Sequence, residues 1–385
     1  MDNSKKALLR FGVVADVQYA DSDDRKAWYN PEKIRYYRNS LEQVRKAFKH
    51  WESYRISNET KVTFILQLGD IIDALNSGQE SHGAIDRSLE NFLNNSHMPT
   101  FHTVGKLNFF IFFLNFNVLF IFLIGNHELY NFTRAEMSQL FDRFLFSREN
   151  CRMDIQHYRQ SETCPLHYKF SPIPGVKFLS LDSYDIGILG YDDSHPKYKQ
   201  AAQILYEHHG VIDLNIWDTD KHLKGENRRF QSSNGAIGPD QLEWLEKELE
   251  DSDRENETVI VFGHVGLHPQ SCGWDSMLWN YDKVLETFGK HTCVAAYFSG
   301  HAHNSGYAYE NGIHYVVFHG IIETHPEFDA FTTVTLFNDS IHIDGHGVEE
   351  QRFLKLRKAV QQNSVDFSPE HIEIVSFEST KPLKV

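Results

Sequence analysis

The chain has 385 residues, a formal net charge of −15, and 41% hydrophobic and 24% charged residues. That length fits one large α/β domain or two ordinary ones, with enough apolar residues for a sizeable core. The acidic balance argues against tracking a phosphate backbone or adhering to anionic lipid through basic patches. It leaves room for an anionic small substrate, because bound metal ions reverse a local potential.

The opening "MDNSKKALLRFGVV" has basic residues but no apolar segment before its first strand, so no secretory signal is read. "LRFGVVADVQ" reads as a buried strand ending in polar residues. "PEKIRYYRNSLEQVRKAFKHW" sets Ile34, Tyr37, Leu41, Val44, Phe48 and Trp51 at alternating spacings of three and four. With Pro31 in the first turn, this predicts an amphipathic helix. "VTFILQLGDIID" reads as a second buried strand, and "MPTFHTV" (Met98 to Val104) as a third.

Between that strand and Gly125 lies an almost wholly apolar run, Phe109 to Ile124. As a helix its 16 residues reach ~24 Å, against a hydrocarbon core of ~30 Å. As a strand they far exceed the usual length of about five or six. Joining Val104 directly to Gly125 gives the continuous block "MPTFHTVGNHELYNF". Residues 105–124 therefore read as an insertion, of the kind a retained intron or gene-model error would leave. A genuine hydrophobic hairpin docked on the domain or a partner is the alternative.

"TRAEMSQLFDRFLF" opens with Thr133 and Glu136 in capping-box spacing and is expected to be helical. "VKFLSLDSYD", "TVIVFGH", "CVAAYFSGH", "IHYVVFHG" and "FTTVTLF" read as strands, and "GPDQLEWLEKELED" as a helix begun at Pro239. Alternating strands and helices imply a layered α/β architecture. There is no internal repeat. Past Glu350 the pattern weakens, so one domain is expected over residues 1–350, followed by a tail over 351–385. The four cysteines form no C-x-x-C pair, which suits reduced thiols in a cytoplasmic protein.

The chemistry sits at strand ends: Asp16-x-Gln18, Gly69-Asp70, Gly125-Asn126-His127, Gly263-His264 and Gly300-His301-x-His303. Alone, each reads as readily as a turn, a cap or a hydrogen-bonded loop residue. Ligands of α/β sheets bind beyond the carboxyl ends of strands, where five such loops can converge. Two histidines at i and i+2 share a face of an extended chain and reach neighbouring metals.

In this order, "ADVQYAD", "LGDIID", "GNHELYNF", "FGHVGLHP" and "SGHAHNSGY" resemble the calcineurin-like metallophosphoesterase superfamily over roughly residues 10–350, the apolar run omitted. Gln18 stands where most members have His. That departure, with "LDSYDIGILG", "NGAIGPDQLEWL", "MLWNYDKV" and "HGIIETHPEFDAFTTV", resembles the branch of manganese-dependent ADP-ribose/CDP-alcohol diphosphatases.

The resemblance implies an αββα sandwich of two mixed sheets flanked by helices, holding two divalent ions. Asp70 would bridge them, with Asp16, Gln18 and His303 on one ion and Asn126, His264 and His301 on the other. Mn²⁺ is expected, with Zn²⁺ or Fe²⁺ suited to the same oxygen and imidazole donors. His127 would face the reacting phosphoryl group as general acid or electrostatic stabiliser. His268 reads either as support for His264 or as a packed loop residue. Tyr19, Tyr130, Trp274 and Trp279 are candidates for base stacking, but aromatic residues are more often core, so none is assigned.

The expected reaction is hydrolysis of the pyrophosphate in a small nucleotide-diphosphate substrate by a cytoplasmic monomer without nucleic-acid or membrane partners. The alternatives are a cyclic-nucleotide phosphodiesterase, a phosphoprotein phosphatase, an inactive metal-binding scaffold, or a membrane-attached protein.

Overall fold

The computed structural model describes residues 6–56, 60–78, 80–94, 119–144, 166–209 and 223–361. In chain order the strands are β1 (Leu9–Val14), β2 (Arg25–Lys26), β3 (Ile34–Arg35), β4 (Phe64–Gln67), β5 (Leu119–Phe122), β6 (Tyr168–Ile173), β7 (Val176–Ser180) and β8 (Thr258–Phe262). They continue with β9 (Val294–Ser299), β10 (Gly306–Glu310), β11 (Ile313–Val317), β12 (Ala330–Leu336), β13 (Ser340–Gly347) and β14 (Arg352–Lys355). The helices are α1 (Asn39–Ile56), α2 (Ser81–Asn94), α3 (Asn126–Asn131), α4 (Arg134–Phe144), α5 (Pro196–His209), α6 (Pro239–Arg254) and α7 (Tyr281–Lys290).

Two six-stranded mixed sheets face each other, in the orders β14-β13-β12-β1-β4-β5 and β10-β11-β9-β8-β7-β6. Their inner faces meet through aromatic rings. Phe11 stacks on Phe64 with centroids 4.9 Å apart, and both meet Phe178 edge-on at 5.4 Å. Such pairs add specificity to the apolar area they bury. Outside the first sheet, α1 lays Trp51 over β1, and a Cβ at Gly12 would come within 2.5 Å of that indole. On the second sheet, α6 buries Trp244, Leu245 and Leu249. The result is the αββα sandwich.

Within each sheet a block of strands runs parallel: β1-β4-β5 at one side of the first, β7-β8-β9-β11 in the middle of the second. Their carboxyl ends therefore open at one end of the sandwich, where the five motif loops lie.

Three expectations change. The helix read from Pro31 begins at Asn39. Arg35 is drawn inward instead, pairing with Asp73, while the Tyr36 amide donates to the Ile322 carbonyl at 2.7 Å. Tertiary ion pairing overrides helical periodicity there. The boundary at residue 350 falls short, because β14 pairs with β13 and buries Leu354, while Leu356 and Val360 are also buried. Residues 362–385 lie outside the described residues.

The third concerns the apolar run. Its last part, Leu119–Phe122, pairs in parallel with β4, and Leu123 and Ile124 join the core. Both the expected strand Met98 to Val104 and residues 105–118 lie outside the described residues. Among the described residues, no helix is long and apolar enough to cross a membrane. A chain lacking residues 105–124 is expected to fold with Met98 to Val104 beside β4. His102 would then take the place of Phe122 and leave Pro99 at the strand start, where a missing N–H is tolerated. Solubility and a cooperative melt of that variant are the measurement; a variant that fails to fold would show the segment to be integral.

Candidate metal centre

Three of the five motif loops leave their strands through residues in the left-handed region. Asp16, Gln18, Asp70, His301 and His303 have φ of 49°, 43°, 58°, 66° and 55°. Non-glycine residues rarely adopt this conformation, and such outliers cluster at functional sites. Two glycines permit the packing between loops. A Cβ at Gly125 would fall 1.9 Å from Asp70 Oδ1, and one at Gly300 would fall 2.5 Å from Asp16 Oδ2.

The expected residues converge. Asp70, His264 and His301 bring ligand atoms within 4.8 Å of one another, and so do Asp16, Asp70 and His303. Asp70 is common to both groups. Asn126 joins the first, its Oδ1 lying 3.2 Å from His264 Nε2. Gln18 joins the second, its Nε2 lying 2.8 Å from Asp70 Oδ2 and 3.0 Å from His303 Nε2. All eight residues named from the sequence, His127 included, stand around one space.

Two observations show that this donor set fits divalent cations. Gln18 Oε1 is buried without a hydrogen-bond partner, a state that costs about 1–3 kcal/mol unless something supplies positive charge. The second is electrostatic. Burial opposes charging His264 and His303, yet both are pushed up to about 9, by Asp70 at His264 and by Glu323 and Asp16 at His303. Burial likewise opposes ionisation of Asp70, but the neighbouring His264 and His127 hold it well below the usual carboxylate range. Protons are thus drawn into a negative hollow that metal cations would satisfy. His301 is held neutral by burial and by the charge of His264.

Other side chains fix the orientation of these donors. His264 Nδ1 donates to the Leu68 carbonyl at 2.6 Å, which leaves Nε2 facing Asp70 and Asn126. His303 Nδ1 meets Glu323 Oε1 at 2.8 Å, which leaves Nε2 facing Asp16 and Gln18. Tyr184 Oη donates to Asn126 Oδ1 at 3.2 Å. Outer partners of this kind set ring orientation and donor strength at metal sites.

His127 differs from the other histidines. Its main-chain N–H donates to Asp70 Oδ1 at 2.9 Å, and its Nδ1 accepts from the Ala74 N–H at 3.0 Å. The neutral ring therefore carries its proton on Nε2, 3.9 Å from Asp70 Oδ2. Asp73 Oδ2 lies 3.2 Å from Nδ1.

Glu128 was read only as part of the motif, and it holds the loops together. Its buried carboxylate accepts from the amides of Gly125 (2.8 Å), Asp70 (2.8 Å), Ile71 (2.6 Å) and Ile72 (3.3 Å). A Glu128→Gln variant would turn an amide NH₂ toward some of these N–H groups. We expect it to lower the melting temperature and lose at least tenfold in activity, because Asp70 and Asn126 both shift. A variant with wild-type melting and activity would contradict this clamp.

His268 is a packed loop residue: its ring lies 4.8 Å from that of Tyr315 and its Nε2 lies 3.4 Å from Glu310. The candidate ligands Gln18, Asp70, Asn126, His301 and His303 line a cleft of ≈ 390 Å³. Of the aromatic candidates, Tyr130 lines it, whereas Tyr19 and Trp279 are buried in the core. Trp28 and Tyr29, not singled out from the sequence, line the cleft and are 65% and 46% exposed. Only their position in the fold reveals them.

Comparison with known proteins gives a consistent picture. Residues 9–305 match the calcineurin-like phosphoesterase family. The chain is 35% identical over 365 residues to a manganese-dependent ADP-ribose/CDP-alcohol diphosphatase from Bos taurus, covering 92% of this chain and 96% of that protein. It is 36% identical over 364 residues to a protein of the same name from Xenopus laevis, covering 92% of each. Among solved structures, a dimetal phosphatase from Danio rerio superposes with a TM-score of 0.73 at 29% identity, over 91% of this chain and 100% of the other.

Proposed function

The chain belongs to the calcineurin-like phosphoesterase family, and from that membership we propose a dinuclear, manganese-dependent hydrolase of ADP-ribose and CDP-alcohols. The substrates are CDP-choline, CDP-ethanolamine and CDP-glycerol as well as ADP-ribose. Water cleaves the pyrophosphate, giving AMP plus ribose 5-phosphate or CMP plus the phosphorylated alcohol. The observation that carries this reading is Asp70, shared between two groups of candidate ligands at the floor of one cleft.

Asp16, Gln18, Asp70 and His303 would hold one ion; Asp70, Asn126, His264 and His301 would hold the other. When bound, such a pair supplies Lewis acidity that neutralises charge on the phosphoryl oxygens and acidifies water. The protein's own contribution is placement. Asp70 is fixed by the His127 and Glu128 contacts, and His264 and His303 are each oriented by a bond at Nδ1. His127 holds a proton on Nε2 at the cleft and is positioned to donate it to the departing oxygen. The enzyme is read as a cytoplasmic monomer. The free thiols of Cys272 and Cys293 suit a reducing compartment.

The test is hydrolysis of ADP-ribose, CDP-choline and a cyclic nucleotide side by side, with Mn²⁺, Mg²⁺ and Zn²⁺. The two diphosphates are expected to turn over fastest, and with Mn²⁺. Preference for the cyclic nucleotide would move the protein to another activity of the family, and no turnover with any metal would make it a binding scaffold.

Gln18→His removes the amide whose Nε2 lies beside Asp70 and His303 and whose hard Oε1 has no protein partner, and puts an imidazole in its place. The variant is expected to shift activation from Mn²⁺ toward Zn²⁺ severalfold while keeping the order of substrates. Superimposable metal-activation curves for variant and wild type would remove any tuning role for Gln18.

A further inference from the structure

Asn234 is fully buried, and each of its polar atoms is committed. Its Nδ2 donates to two carbonyls, Arg229 O and Asp275 O, both at 2.9 Å. An amide nitrogen with two carbonyl partners fixes which way the side chain faces, since the reverse orientation would set oxygen against oxygen. The Oδ1 therefore points at His301, whose Nε2 lies 2.7 Å away. An oxygen that only accepts requires a donor opposite it, so His301 carries its ring proton on Nε2. That leaves Nδ1 as the lone-pair donor of the ring.

We propose that Asn234 is a positioning residue: it holds His301 in the Nε2–H tautomer with Nδ1 free for a metal ion, and it ties that ligand to the substrate cleft. The second half follows from what Nδ2 binds. Gln231, Ser232 and Ser233, just before Asn234, line the cleft, and so do Asp275, one of its two carbonyl partners, and the adjacent Ser276. Two cleft-lining segments and one metal-facing ring thus meet at a single amide. A substrate that presses on either segment acts on His301 through Asn234, and a bound ion at His301 stiffens both segments.

The inference rests on reading His301 as a metal ligand, and its test is direct Mn²⁺ binding to the metal-free protein, measured by calorimetry without substrate. Asn234→Ala removes both functions of the amide; Asn234→Asp keeps the acceptor for Nε2–H and removes the two donors. A carboxylate behind a metal-bound histidine is a common arrangement, and losing such a partner typically costs 10- to 100-fold in metal affinity. We expect Asn234→Ala to bind Mn²⁺ 10- to 100-fold more weakly and Asn234→Asp to stay within about threefold of wild type. The KM for ADP-ribose should rise in both.

Wild-type affinity in Asn234→Ala, or equal losses in the two variants, would overturn the proposal. Nitrogen chemical shifts of His301 in the metal-free wild-type protein give a readout that no folding defect can imitate: Nε2 should be the protonated nitrogen, and the opposite pattern would overturn the tautomer. Absence of Mn²⁺ binding to the wild-type protein would instead count against the metal centre as a whole.

Discussion

Asp70→Asn is expected to release both metal ions and abolish turnover, whereas loss of any other ligand should leave one ion partly bound. The asymmetry follows from geometry, since Asp70 alone belongs to both ligand groups among the described residues. Its carboxylate is 1% exposed and faces Gln18, His127 and His264. Removing its charge therefore leaves the neighbouring imidazoles without their counter-ion, and uncompensated buried charge is strongly destabilising. Asparagine is the better probe than alanine, because residue 70 has φ of 58° and Asn tolerates that region. Metal content by mass spectrometry, beside ADP-ribose hydrolysis, decides the matter. One tightly held equivalent of metal in the variant would refute a bridging role.

His127→Ala should behave in the opposite way, with both ions retained and kcat down by roughly 10²–10⁴, the usual loss for a general acid. The bond from residue 127 to Asp70 comes from the main chain and survives the substitution. What disappears is the ring whose Nδ1 takes the Ala74 amide and whose Nε2 carries the proton. The deficit should be smallest for substrates whose leaving group needs no proton. A His127→Ala protein that had lost its metal would place His127 among the ligands instead.

Much of the candidate site was legible because each motif is local: a strand end with its donors, and in four of the five loops a glycine beside them. Asp16, Asp70, His264, His301 and His303 could be named without knowing their neighbours. Their supports could not. Glu323 acts on His303, Asp73 on His127, Tyr184 on Asn126 and Asn234 on His301, each across a contact that sequence order does not reveal. "NGAIG" and "HGIIE" stood out as strings and carried no assignable chemistry until folded.

The architecture followed the same rule. Long apolar strands such as β8 and β9 announced themselves, whereas β10, with one buried residue in five, and β14, four residues long, gave too little alternation to read. The helix read from Pro31 shows the converse error: its periodicity was real, but the ion pairs of Arg35 decide the chain path up to Asn39.

The candidate ligands come from both layers of the sandwich. Asp16, Asp70 and Asn126 follow strands of the first sheet, and His264, His301 and His303 follow strands of the second. Contacts across the site join positions as far as 285 residues apart in sequence. Bound cations would therefore act as non-covalent cross-links that close most of the chain into a single loop. Whatever the ions gain by binding the folded form alone is added to its stability, about 2.7 kcal/mol for each site at a hundredfold excess over its dissociation constant. Chelation then becomes a mechanical event as well as a chemical one, because it unpins one sheet from the other at the end where substrate enters.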